Sequence, residues 1–301
     1  MKIAIAGGTG FVGKALTKFF LEKGYELFIL TRKLKESNIK NVRYVSWLTS
    51  GSQPEHELDG IDAFINLAGE PLNSGRWTET RKERIYNSRI HTTREVLRIL
   101  SSLKNKPSVL INASAIGYYG TSLHETFTED TQKHGHDFLA EVVWSWEEEA
   151  KAAEGFGIRV VYPRFGIILG KNEGALNKMI LPYHFFIGGT VGSGEQWLSW
   201  VHIDDVVGMI DFSISNTQIE GAMNVTSPHP MKMQDFGKTL GNVIGRPHWL
   251  PAPSFALKLL LGEMSMLVLE GQRVLPEKAE KNGYEFSHSF LDEALSSILK
   301  S

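Results

Sequence analysis

The chain has 301 residues, 42% of them hydrophobic and 22% charged, which is a globular composition with room for a sizeable core. Its 34 acidic residues slightly outnumber its 32 basic ones, so no cationic surplus exists to bind phosphate backbones, and nucleic acid is not an expected partner. With no cysteine, disulfides, thiolate nucleophiles and Cys-ligated zinc are excluded.

The opening apolar run, Ile3 to Ala6, stops at Gly7 and is too short for the h-region of a signal peptide, so folded structure is expected from the first residues. Further strand-like runs follow at Leu27–Leu30, Val42–Val45, Ala63–Ile65, Val109–Asn112 and Val160–Tyr162, separated by longer amphipathic stretches. That alternation is the βαβ rhythm of a parallel sheet. The spacing predicts helices over Phe11–Lys23, with Val12, Leu16, Phe19 and Phe20 inward and Gly24 as terminator, then over Thr78–Leu103 and Phe138–Glu154. Beyond about Arg164 the chain becomes Gly-rich and punctuated by prolines, which suggests a second, smaller lobe. The expected class is therefore α/β: a Rossmann-type, doubly wound parallel sheet with a smaller C-terminal substrate lobe. Residues 1–166 and 198–226 are assigned to the nucleotide-binding domain, and 167–197 and 227–301 to the smaller lobe. No apolar run is long enough to span a bilayer, so a cytoplasmic protein without a membrane partner is expected.

The sharpest local signal is Gly7-Gly8-Thr9-Gly10-Phe11-Val12-Gly13, set between a strand and a helix. Glycines there allow a tight turn, a close backbone approach to a pyrophosphate and close helix–strand packing, while the helix N-terminus faces the anion. NAD-preferring proteins place a carboxylate near the end of the second strand, where this chain reads Leu30-Thr31-Arg32-Lys33. Arg32, beside Thr31, can pair with a 2′-phosphate, which points to NADP in preference to NAD. Ser114 stands at the end of the fifth strand, on the sheet edge where such folds bind ligands.

Several segments extend the pattern: Asn66-Leu67-Ala68-Gly69, Ser114-Ala115-Ile116-Gly117-Tyr118-Tyr119-Gly120, Trp200-Val201-His202-Ile203-Asp204-Asp205-Val206 and Met223-Asn224-Val225. With these the chain resembles the extended short-chain dehydrogenase/reductase superfamily, which includes the nucleotide-sugar epimerases and dehydratases, and within it the atypical epimerase-like (cell-division-inhibitor-like) subgroup. The resemblance implies that Leu67, Ala68, Gly69 and Glu70 run beside the cofactor. It also puts Ala113, Arg89 and Arg164 where cofactor or substrate passes. Ser114 and Tyr118 are the candidate catalytic residues, with Tyr119 as an alternative phenol. The family's Tyr and Lys positions fall on Phe138 and Val142, neither of which can carry a proton, and Leu198 replaces an Arg that grips nucleotide-sugar diphosphates.

Two function classes follow. One is an NADP(H)-dependent oxidoreductase or epimerase acting on a small polar carbonyl or alcohol oriented by Ser114. The other is a non-catalytic NADP(H)-sensing regulator that acts through a protein partner in division. A nucleotide-sugar epimerase is the third alternative, and a homodimer is implied by the wider family. No metal site is expected: the ten histidines are scattered, His134 and His136 lack a further ligand set, and Asp204 and Asp205 read as helix-capping carboxylates. Gly192-Ser193-Gly194 lacks the spacing of a hydrolase elbow.

Overall fold

The computed structural model describes residues 1–34, 36–171 and 173–300. Strand β1 (Lys2–Ala6) enters α1 (Phe11–Glu22) through the glycine turn, followed by β2 (Glu26–Thr31), β3 (Val42–Ser46), the short α2 (Glu55–Leu58) and β4 (Ala63–Asn66). The long α3 (Glu79–Ser102) leads to β5 (Val109–Asn112), β6 (Ser114–Ala115), β7 (Thr126–Phe127), α4 (Phe138–Ala150) and β8 (Arg159–Phe165). Next come β9 (Ile167–Leu169), α5 (Leu176–His184), β10 (Trp197–Leu198), β11 (Trp200–His202), α6 (Ile203–Ser215) and β12 (Gly221–Val225). The chain ends with β13 (Met231–Lys232), α7 (Met233–Ile244), α8 (Ser254–Leu261), α9 (Met266–Leu269), β14 (Arg273–Val274), α10 (Glu277–Lys281) and α11 (Leu291–Leu299).

The main sheet runs β12-β8-β5-β4-β1-β2-β3, with β6 also on β8, and its pairings are parallel. This is the doubly wound order expected from the βαβ rhythm, and it reverses between β1 and β4, where such folds open a ligand crevice. Alternation along β1 explains why helices cover both faces. Ile3 and Ile5 pack with Leu16, Phe20 and Ile210, while Ala4 and Ala6 face Phe64, Leu100 and Leu110 on the other side.

Helix termini follow local chemistry. Thr78 accepts a hydrogen bond from the Arg81 amide and starts α3, and Asp137 caps the Leu139 and Ala140 amides to start α4. The acidic helix is shorter than its pattern suggested: α4 stops at Ala150 and continues as a 3-10 turn over Lys151–Phe156, ended by Gly157 at φ +75.

A separate apolar cluster holds the smaller lobe, with Leu176, Tyr183, Leu198, Trp200, Phe236 and Leu295 among its members. The structure differs from the assigned bounds in two places: Leu198 and Trp200, assigned to the nucleotide-binding domain, pack in this cluster, and part of 227–301 leaves it. Ala279, Tyr284 and Phe286 pack against the sheet's own core, because Asp205 at the start of α6 draws this segment in. Its carboxylate accepts from the Ser287 and His288 amides at 2.7 and 3.0 Å and from the Tyr284 hydroxyl. Asp205 therefore anchors a distant segment rather than capping its own helix; that cap is His202, whose Nδ1 accepts from the Asp204 amide at 3.1 Å. Among the described residues, no helix is long and apolar enough to cross a membrane.

Candidate functional site

The glycine turn is built by backbone packing. Gly7 sits at φ +80, and a Cβ there would lie 2.9 Å from the Leu67 carbonyl group. At Gly13 a Cβ would come within 2.4 Å of the Gly7 carbonyl oxygen. Gly10 is different: a Cβ there would meet only that same oxygen, at 3.3 Å, and would otherwise project into the crevice. Gly10 also offers α1 no side-chain cap, and no acidic residue lies in the first turn, so the amides of Phe11, Val12 and Gly13 keep an uncompensated positive field. This is a cradle shaped for an anion such as a dinucleotide pyrophosphate.

Gly7, Gly10, Phe11, Val12 and Leu67 line one end of a cavity of about 490 Å³, which extends past Ala113 and Ser114 to the smaller lobe. Gly8, Thr9, Gly13, Ala68 and Gly69 do not line the cavity: Gly8 and Gly13 are buried, and Thr9 is exposed. Thr31 and Arg32 lie beyond it at the end of β2. There the Thr31 hydroxyl accepts from the Lys33 amide, and Arg32 is exposed with no ion pair among the described residues.

Ser114 is 2% exposed and lines the cavity. Its hydroxyl donates to Glu147 Oε1 at 2.5 Å, and Glu147 is gripped from its other side by Arg164, Nε to Oε1 at 2.8 Å and a terminal nitrogen to Oε2 at 2.7 Å. The carboxylate raises the Arg164 pKa further against the opposing cost of burial. Arg164 therefore does not face the crevice as expected. It lies behind Ser114, with its guanidinium 3.4 Å from the Tyr118 ring centroid.

Tyr118 is likewise no candidate proton donor. Its ring is covered by Arg164 and its hydroxyl donates to the Gln132 carbonyl, away from the cavity. Tyr119 donates to Asn224 Oδ1 at 2.7 Å, and burial pushes its pKa up to about 12, the wrong direction for donation at neutral pH.

Helix α4, which also carries Glu147, supplies a further part of the lining. Val142 lines the cavity where the resemblance places a lysine, while Phe138 packs edge-on against Trp77 at 5.5 Å. Arg89 lines the cavity too, lying 5.2 Å from the Trp146 ring and donating to the Ile85 and Glu70 carbonyls. Burial lowers its pKa to about 10, which leaves it a cation at neutral pH. Glu70 turns the other way: its carboxylate is held by Arg81 and Arg84 outside the cavity, and only its backbone touches Arg89.

The cavity closes over residues 266–272 of the C-terminal segment. Most of its lining is apolar, including Leu139, Val143, Leu198, Met233 and Met266. Its polar members are largely engaged with one another: Gln272 donates to the Ile116 carbonyl, and Thr121 donates to Glu270.

Sequence reasoning missed Glu147, although a signal existed. Ala140, Val143, Glu147 and Ala150 share the buried stripe of α4, and a carboxylate on such a stripe requires a buried partner. It also missed His288, which the fold brings to His202 and Asp204. The two rings lie 3.8 Å apart, and each sits 3.5 Å from the Asp204 carboxylate. Both His202 nitrogens are engaged, Nδ1 by the Asp204 amide and Nε2 by the Ser297 hydroxyl, and burial lowers its pKa to about 4. This neutral histidine acts as a cap.

Comparison with known proteins places these features in a family. Residues 3–226 match the model of the NAD dependent epimerase/dehydratase family, and residues 252–298 match a domain of unknown function. The epimerase family protein YfhF of Bacillus subtilis is 51% identical over 299 residues, covering 99% of this chain and 98% of that protein. An epimerase family protein of Staphylococcus haemolyticus is 44% identical over 295 residues, 98% of each chain. Among solved structures, a human epimerase family protein with NADPH superposes with a TM-score of 0.91 at 30% identity over the whole of both chains. UDP-glucuronic acid 4-epimerase from Bacillus cereus, in complex with UDP-glucuronic acid and NAD, shares the fold at a TM-score of 0.81 and 17% identity, over 99% of this chain and 98% of that one. The glycine cradle, the parallel sheet and the full-length matches agree: this chain belongs to the NAD-dependent epimerase/dehydratase family.

Proposed function

We propose that this protein binds NADP(H) along the Gly7–Gly13 turn and exchanges hydride between the cofactor and an apolar carbonyl or alcohol. The observation that carries the reading is the mostly apolar cavity that joins the uncapped start of α1 to Ser114. The cradle fits a dinucleotide because Gly10 keeps the crevice clear of a Cβ and the α1 amides are free to meet phosphate oxygens. Arg32, exposed after β2 with no acid in its place, favours NADP over NAD, as does the NADPH in the human relative's structure. When bound, the nicotinamide supplies the hydride donor or acceptor.

Ser114 has a single hydroxyl hydrogen, and Glu147 takes it, so the Ser114 oxygen offers lone pairs to the cavity. It accepts the O–H of an alcohol. On oxidation that proton moves to Ser114 Oγ while the Ser114 proton passes to Glu147 Oε1; carbonyl reduction starts with Glu147 first taking up a proton from solvent, after which both steps reverse. This pair stands in for the phenol and lysine replaced by Phe138 and Val142. Arg164 holds Glu147 in place and is a positioning residue. Because the lining is apolar and Leu198 offers no charge to a diphosphate, the substrate class shifts from small polar molecules to lipophilic carbonyls.

The test is a titration with NADPH and NADH followed by tryptophan fluorescence, then NADPH consumption with decanal and acetophenone, and chromatography of UDP-glucose for its C4 epimer. Tighter NADPH binding and turnover of decanal or acetophenone are expected. NADPH binding with no turnover of either would overturn the oxidoreductase reading in favour of nucleotide sensing, and formation of the C4 epimer of UDP-glucose without net NADPH consumption would restore a sugar-nucleotide epimerase.

A further inference from the structure

Helix α8, Ser254–Leu261, contains no buried residue although five of its eight side chains are leucine or phenylalanine. Phe255, Leu259 and Leu260 are 76, 78 and 70% exposed, values typical of polar surface residues rather than of a docked helix. Three residues upstream, Trp249 and Leu250 are also exposed, and their amides donate to the Gly188 carbonyl, which places exposed Phe185, Phe186 and Ile187 alongside. The Trp249 indole donates to the Phe186 carbonyl at 2.8 Å, so the two strips are tied together. Residues 185–187 and 249–250 thus form one exposed apolar strip, and exposed α8 follows it in the chain after Pro251-Ala252-Pro253.

Its charge is one-sided. Neither 174–194 nor 236–262 contains a single Asp or Glu. Arg246 lies over the Phe186 ring at 4.4 Å, Lys258 sits within α8, and Arg76 donates to the Leu259 and Leu260 carbonyls at the end of α8. Glu263, the first acid beyond α8, is already paired with Lys82. A second copy of the chain would bring these cations against their own likeness. Exposed aromatic and aliphatic side chains rimmed by Arg and Lys, with the adjoining acid already paired, are instead complementary to a surface that is apolar inside and anionic outside.

We propose that this face docks on anionic lipid bilayers, with Phe255, Leu259, Leu260 and Trp249 in the acyl boundary and Arg76, Arg246 and Lys258 at the headgroups. Eight residues cannot span a bilayer, so α8 lies in the interface; this departs from the expectation of no membrane partner. The same segment continues into Met266 and Leu267, which line the cavity, so the docked face adjoins the site. The proposal stands independently of hydride exchange.

The experiment is co-sedimentation of the full-length protein with vesicles of phosphatidylcholine alone or mixed with phosphatidylglycerol. The protein pellets with the mixed vesicles and much less with neutral ones. Arg246→Gln with Lys258→Gln weakens partitioning about 25-fold, and Phe255→Ser with Leu259→Ser weakens it at least tenfold at unchanged charge. Both variants keep the wild-type melting temperature, since the side chains they change are exposed. Three results would each overturn the proposal: no pelleting with any vesicle, equal pelleting with neutral vesicles, or a wild-type dimer in gel filtration that the Phe255/Leu259 variant splits. Binding to polyglutamate as strong as to vesicles would reassign the face to an acidic protein.

Discussion

The two ends of the cavity are made in opposite ways. At the nucleotide end the surface is backbone: glycines pack against carbonyls, and free amides point outward. At the Ser114 end it is side chains, mostly apolar, with one serine backed by a buried carboxylate and guanidinium. A backbone site depends on local sequence order and tolerates change only where a Cβ fits, whereas a side-chain site depends on partners far apart in the chain. The first should fail by steric clash, the second by uncompensated charge.

The largest expected effect lies in the buried charge group. Glu147→Gln leaves Arg164 without its counter-ion and should cost about 3–5 kcal/mol of unfolding free energy in urea titration. A loss below about 1 kcal/mol would mean that the pair is solvated and the side-chain end loosely built.

The glycine end should separate two kinds of position. Gly13→Ala forces a Cβ to 2.4 Å from the Gly7 oxygen and should cost about 1–3 kcal/mol. Gly10→Ala, facing the crevice, should leave stability nearly unchanged while weakening NADPH binding at least about tenfold. If both alanine variants behaved alike, the distinction between packing and ligand-facing glycines would not hold.

The His202 cap gives a pH signature outside both ends. Its folded pKa of about 4 lies below the ordinary 6.5, so the neutral form stabilises the fold fully above about pH 6.5, and that contribution is lost as pH falls toward 4. Unfolding free energy should decline by about 1–3 kcal/mol across that window, and His202→Asn should flatten the decline. Smallest of all, Arg32→Ala should weaken NADPH binding about tenfold with NADH unaffected, read by fluorescence titration; equal loss for both would return Arg32 to the solvated surface.

The difference between the two ends also decided what could be read from the sequence. Gly7 to Gly13 is contiguous and its spacing states its geometry, so strand, turn and helix were all legible there, as was the place of Ser114 at the end of the strands. The roles given to Arg164, Tyr118 and Glu70 were not. Each stands at the right point along the chain, but its side chain is claimed by a partner remote in sequence: Glu147 for Arg164, Gln132 for Tyr118, Arg81 for Glu70. Side-chain direction depends on such long-range pairs, and the apolar stripe of α4 held the one clue, at Glu147.

The most direct measurement is NADPH consumption with decanal by the wild type and by Ser114→Ala, with NADPH affinity and melting temperature recorded for both. The geometry requires that the variant fold, bind NADPH within about threefold of the wild type, and lose turnover by about 100-fold or more. Turnover that survives in Ser114→Ala would contradict the Ser114–Glu147 proton path and place the chemistry elsewhere in the cavity.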